Sequence, residues 1–261
     1  MQRNTIWYVA AAVLVVLGGV ALYLSWRANH HPAPPPPAAV TAPVAPPPGI
    51  ANPVPAASGA AAEPLPPLES SDKPMLEALG DLFGAKSIDA LLRPEMLVRH
   101  IVVTVDNLPR KHLAVELRPT KDLPGAFAVS GNDQAATIDA SNYTRYAPYV
   151  HLLQSLNVRQ FTTVYFHYYP LFQQAYEGLG YPSGYFNDRL VATIDDALAA
   201  PDLKGPVALV RPNVEYQFAD PKLEDLSSAQ KLMIRMGPEN EAIVKAKLRE
   251  LRAAVAAQKR Q

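Results

Sequence analysis

The sequence predicts a mainly α domain, helical with a small sheet of short strands or hairpins, behind one N-terminal transmembrane helix and a disordered proline-rich linker. Three observations predict it. Apolar residues recur at three-to-four spacing through most segments after Asp72, as in amphipathic helices that share a core. Two regions, residues 112–139 and 206–221, switch to a period of two, as strands with one buried face do. Residues 1–69 follow neither pattern: an uncharged apolar run comes first, then a tract of proline and alanine.

The anchor is predicted over residues 1–29. No charged residue lies between Arg3 and Arg27, and Ile6 to Leu24 is apolar apart from Tyr8, Tyr23, Gly18 and Gly19. At about 1.5 Å per residue, a helix over about 6–26 spans a hydrocarbon core of about 30 Å, so its partner is the lipid bilayer. Trp7 and Tyr8 at one end, with Tyr23 and Trp26 at the other, sit where interfacial aromatic belts sit. No A-x-A pattern follows Leu24, which favours an uncleaved signal anchor over a cleaved signal peptide. The head is short, and no lysine or arginine occurs from Ala28 to Asp72, so the bulk of the chain is expected on the exported side.

Residues 30–69 are predicted to be a linker. Fourteen prolines occur between Pro32 and Glu69, with alanine as the main filler and only Glu63 and Glu69 charged. Such a tract cannot bury a core and behaves as a semi-rigid polyproline-like spacer, with an upper reach on the order of 100 Å.

Residues 70–261 are long enough for a single α-rich domain with one sizeable core. Lysine plus arginine equals aspartate plus glutamate within it, at 22 each, so no nucleic-acid partner is expected. The absence of cysteine removes disulfides, thiolate nucleophiles and cysteine-ligated metals.

"KPMLEALGDLF" reads as a short helix. "RPEMLVRHIVVTVDNLPR" reads as a second, starting at Pro94 and stopping before Pro109. "HLAVELRP" alternates, pointing Leu113, Val115 and Leu117 inward. "AFAVSGNDQAATID" reads as two strands around a Gly-Asn-Asp turn, and "PVALVRPNVEYQFADP" as a further pair around Pro212 and Asn213. Helices are predicted over Asn142 to Asn157 and Val158 to Leu179, with Gly180 as a stop and Ser183 capping the helix that follows. "PKLEDLSSAQKLMIRMG" reads as one helical segment, and Pro238 opens a last helix whose excess of positive charge reads as a solvated face.

No catalytic constellation is recognisable. Gly178, Gly180 and Gly184 imitate a dinucleotide fingerprint, but the spacing is wrong and Pro182 interrupts it. His100, His112, His151 and His167 lack metal-ligand spacing, so no metal or cofactor is expected. Asp188, Asp195 and Glu177 are the candidates for an acid and base. The aromatic segment is the best site candidate. Residues 164–186, with Phe161, hold ten of the nineteen Tyr and Phe residues. Their helical spacing reads first as a core stripe, with a binding groove as the alternative. Pro170 is expected to kink or restart the helix and open that groove. Tyr165, His167, Tyr168, Tyr169, Tyr176 and Tyr181 are the candidate ligand-binding residues.

The blocks "TVDNLPR", "YYPLFQQAYEGLGYP", "FNDRLVATID", "FADPKLEDLSSAQKLMIRMGPEN" and "VKAKLRELR" resemble a bacterial family known as domain of unknown function 3014. The resemblance covers Leu65 to Ala257 and implies a single N-terminal membrane helix with a proline-rich tract. It implies no activity, cofactor or catalytic residue. The combined expectation is a single-pass protein of the bacterial inner membrane with its C-terminal domain in the periplasm. It is expected to be a non-enzymatic binding or scaffolding module with an envelope protein or glycan partner. The alternative is a glycan-acting enzyme of the cell wall that uses carboxylates near the aromatics.

Overall fold

The structure, a computed structural model, describes residues 49–55, 64–132 and 135–256. The expected membrane helix at 6–26 lies outside these residues, as do linker residues 30–48 and 56–63. Among the described residues no helix is long and apolar enough to cross a membrane.

A 3₁₀ turn at Leu68–Ser70 leads into α1 (Asp72–Phe83), and Gly84 separates α1 from α2 (Ala85–Leu91). Helix α3 (Leu97–Asn107) starts later than Pro94 suggested, because Met96 adopts a left-handed φ of 49°. Its first amides find their acceptor in another helix: the Asp72 carboxylate accepts from Met96 N at 2.8 Å and Leu97 N at 2.7 Å. The alternating stretch after α3 is not a strand. It forms a 3₁₀ turn at Val115–Leu117, and Val115 and Leu117 are exposed. Pairing begins only after it, where Thr120 forms an isolated bridge with Leu92.

The other two alternating regions pair as predicted. Strands β1 (Val129–Ser130), β2 (Ala136–Ile138), β3 (Ala208–Val210) and β4 (Gln217–Phe218) form one antiparallel sheet in that order. The register sets Ala136 opposite Leu209 and Leu209 opposite Phe218, so one face is apolar and buried. Val214 is 81% exposed at the β3–β4 connection.

Helices α4 (Ser141–Gln154), α5 (Val158–Gly178), α6 (Phe186–Leu198), α7 (Pro221–Glu224), α8 (Ser228–Met236) and α9 (Pro238–Val255) complete the described elements. The segment predicted as one helix over Pro221–Gly237 divides, because Ser227 caps a new start by accepting from Gln230 N. The main core joins α1, α3, α5 and α6 through Met75, Leu97, Val102, Phe172, Phe186 and Ile194, and Val255 closes it. A second cluster ties α4, α6, α8 and α9 through Val150, Ala197, Met233 and Val244, and a third packs the sheet against Ile234 and Tyr143.

The face of α9 is less solvated than its charge suggested. Glu241 and Lys245 are each 4% exposed and pair at 2.7 Å. Lys245 Nζ also donates to Ala200 O at 2.6 Å and Asp202 Oδ1 at 2.7 Å. Burial disfavours its charge, but the two carboxylates outweigh burial and raise its pKa.

Candidate functional site

The aromatic segment is one continuous helix. Helix α5 runs through Pro170 without interruption and ends at Gly178, and Gly180 with φ 101° turns the chain away. Tyr165, Tyr168, Phe172 and Tyr176 all face the main core. The hydroxyls of Tyr165 and Tyr168 are bonded inside the protein. Tyr165 donates to Asn187 Oδ1 at 2.9 Å, and Tyr168 to the Pro74 carbonyl at 3.2 Å. Burial pushes the pKa of Tyr165, Tyr169 and Tyr176 up, and the Asp106 charge adds to the effect at Tyr176. Tyr169 and Tyr181 are half-buried, as is His167, whose ring meets Tyr168 edge-on at 4.8 Å. Tyr181 stacks on Tyr176 at 4.7 Å. The structure therefore splits the six candidates into a buried set (Tyr165, Tyr168, Tyr176) and a half-buried set (His167, Tyr169, Tyr181).

Two amides organise the junction of α5 and α6. Ser183 does not cap α6. Gln173 does so from the preceding helix: its Oε1 accepts from Phe186 N at 2.9 Å and its Nε2 donates to Gly184 O at 2.8 Å. Asn187 is wholly buried. Tyr165 fixes its amide orientation through Oδ1, and Nδ2 then donates to the carbonyls of Val255 and Asn52 at 2.9 and 2.8 Å. Asn52 belongs to the linker tract. Asp188 next door accepts from Ala51 N at 3.0 Å, from Asn52 N at 2.7 Å and from Asn52 Nδ2 at 3.0 Å.

A second cluster brings three of the sequence blocks together. Asp106, 5% exposed, pairs with Arg110 Nη2 at 2.6 Å and Arg189 Nε at 3.0 Å. The Arg189 contact is an ion pair off the hydrogen-bond line, since Nε has no aligned acceptor. The guanidinium instead bonds the Asp106 carbonyl. Tyr181 accepts from Arg110 at 2.8 Å and donates to Asp106 at 3.4 Å, and Thr193 donates to Val105 O at 2.9 Å. Asp106, the beside-lying carboxylate, raises the Arg110 pKa. These contacts staple α3, the α5–α6 turn and α6 into one unit.

The proposed acid and base residues are engaged elsewhere. Asp188 holds the linker segment, Asp195 pairs with Arg252, and Glu177 accepts from Gln173 at 2.9 Å. Asp196 is held by Ser227 at 2.6 Å. Among the described residues, no three His, Asp or Glu side chains group as a metal site.

Two concavities stand out among the described residues. A cavity of about 150 Å³ behind Tyr165, Phe172 and Phe186 is walled by apolar and aromatic side chains, too small and too dry for a glycan unit. A groove of about 560 Å³ lies between α1 and α2. Leu76, Ile88 and Leu92 line its floor, Asp72, Glu77, Asp81, Asp89 and Lys73 surround it, and Lys121 Nζ bonds the Asp89 carbonyl.

Sequence reasoning missed Gln173, Asn187 and Asp106 as organising residues. Their signal was a polar side chain within an otherwise apolar helical stripe, which costs free energy unless it is fully bonded. The family model described as Protein of unknown function (DUF3014) matches residues 97–252, more than half of the chain. No curated protein matches the chain, and no solved structure does. Asp106, Gln173 and Asn187 all fall inside the matched residues, and the chain belongs to the DUF3014 family.

Proposed function

We propose that this protein is a single-pass, membrane-anchored binding or scaffolding module of the bacterial envelope, held off the bilayer by its proline-rich linker with its helical domain in the periplasm. The observation that carries the reading is the contrast between engaged and open surfaces. The candidate tyrosines and carboxylates are spent on internal contacts, while the α1–α2 groove stays open with an apolar floor and an excess of acid. That chemistry suits a basic, amphipathic segment of a protein partner, which places its apolar face on Leu76 and Leu92 and its cations toward Glu77 and Asp81. The engagement of Asp188, Asp195 and Glu177 supports binding over glycan cleavage, which needs two carboxylates free to face a substrate.

The test has two parts. Cell fractionation should place the full chain in the membrane, and protease should reach the domain in spheroplasts but not in intact cells. A photo-crosslinking residue at Leu76 should then give a reproducible protein adduct that disappears in Glu77→Lys/Asp81→Lys. A chain found in the soluble fraction overturns the anchor. An adduct unchanged by charge reversal overturns the groove.

A further inference from the structure

The linker residues Ala51 and Asn52 are held in a way that differs from core packing. Four hydrogen bonds join this short segment to Asn187 and Asp188, and three of them use the segment's main-chain atoms. The carboxylate of Asp188 takes two successive N–H groups, one on each oxygen, while the buried Asn187 amide takes the Asn52 carbonyl. One residue is thereby read on both its donor and acceptor sides. The apolar contribution is small: Ile50 and Val54 are half-buried, and neither belongs to a core cluster. Pro53 restricts the backbone of Asn52, so the segment gives up fewer conformations on docking. Asn187 is pre-organised, because Tyr165 and the Val255 carbonyl fix its amide whether or not the segment is present.

We infer that Asn187 and Asp188 form a peptide-binding site for a bent segment with an Ala-Asn-Pro core, and that the chain's own residues 51–53 fill it in cis. Docking by a few hydrogen bonds with little apolar burial is exchangeable. The short connection to the domain at residue 64 gives the cis segment a high effective concentration, so a competing segment binds only when the cis segment is weakened. The site stands on the domain's own contacts and does not depend on membrane anchoring.

The experiment uses the full chain kept in mild detergent. Hydrogen exchange should show the Ala51 amide at least tenfold slower in the wild type than in Asp188→Ala, with α3 amides equally protected in both as the control for folding. Asn52→Pro removes the Asn52 N–H and side-chain amide, and should free the Ala51 amide to the same extent without touching the domain. A labelled, end-capped peptide of residues 49–55 should then bind saturably to the Asn52→Pro chain and at least tenfold more weakly to Asn52→Pro/Asp188→Ala. Equal Ala51 exchange in wild type and variants overturns the cis contact. Cis protection without peptide binding to the Asn52→Pro chain also overturns the proposal, leaving a fixed strap.

Discussion

Asp106 carries its charge where water barely reaches, and two arginines of unequal exposure answer it. The Arg189 side chain is 25% exposed and that of Arg110 51%. Removing the carboxylate therefore strands the more buried guanidinium, whereas removing Arg110 leaves Asp106 a partner. Asp106→Ala should lower unfolding free energy by about 3 kcal/mol, and Arg110→Ala by no more than about 1 kcal/mol, measured by urea denaturation. Asp139 shows the opposite case, a carboxylate tuned by hydroxyl and amide donors. The Ser130 hydroxyl, then Ser141, hold its pKa down at about 2. Since the unfolded value is about 3.9, this group's stabilisation is complete above that pH and is lost as pH falls from about 4 toward 2. Ser130→Ala should move the Asp139 pKa upward, read from the titration of its carboxyl carbon by NMR.

Among the elements, the junctions matter more than the helices. Gly237 ends α8 and starts α9 with φ 87° and ψ 159°, a region that side chains avoid. A Cβ there would sit 2.5 to 2.7 Å from ring atoms of Tyr143. Gly237→Ala should cost about 2–4 kcal/mol in chemical denaturation, through backbone strain and a clash that the packed ring cannot yield to. Helix α6 illustrates the same point with side chains. Its start depends on Gln173 of α5, and the start of α3 depends on Asp72 of α1. Local capping rules pointed to Ser183 and Pro94, because such rules see only neighbours in sequence. An acceptor thirteen or twenty-five residues away is invisible to them.

At the scale of the whole molecule, the packed unit reaches beyond the family-matched residues 97–252. Leu68 and Met75, 5% and 2% exposed, belong to the main core, and Val255 closes it from the other end. A chain beginning at residue 64 should keep a cooperative thermal transition. One beginning at residue 97 loses Leu68, Met75 and the Asp72 cap, more than about 4 kcal/mol together, and should lose that transition, as followed by near-UV circular dichroism.

The sequence by itself determined the mainly helical class, the four short strands, the aromatic stripe as one helical face and the family. These follow from periodicity, turn residues and ordered local motifs, which need no knowledge of distant contacts. Only the tertiary structure decided which polar residues matter. Val115–Leu117 is a 3₁₀ turn where alternation pointed to a strand, and Lys245 is buried because Glu241 and Asp202 converge on it. Asn187 and Asp188 meet Ala51 and Asn52 across more than 130 residues. Hydrogen bonds of that span leave no periodic trace in a sequence, since each partner alone resembles an ordinary polar residue until the fold brings its acceptor or donor within reach.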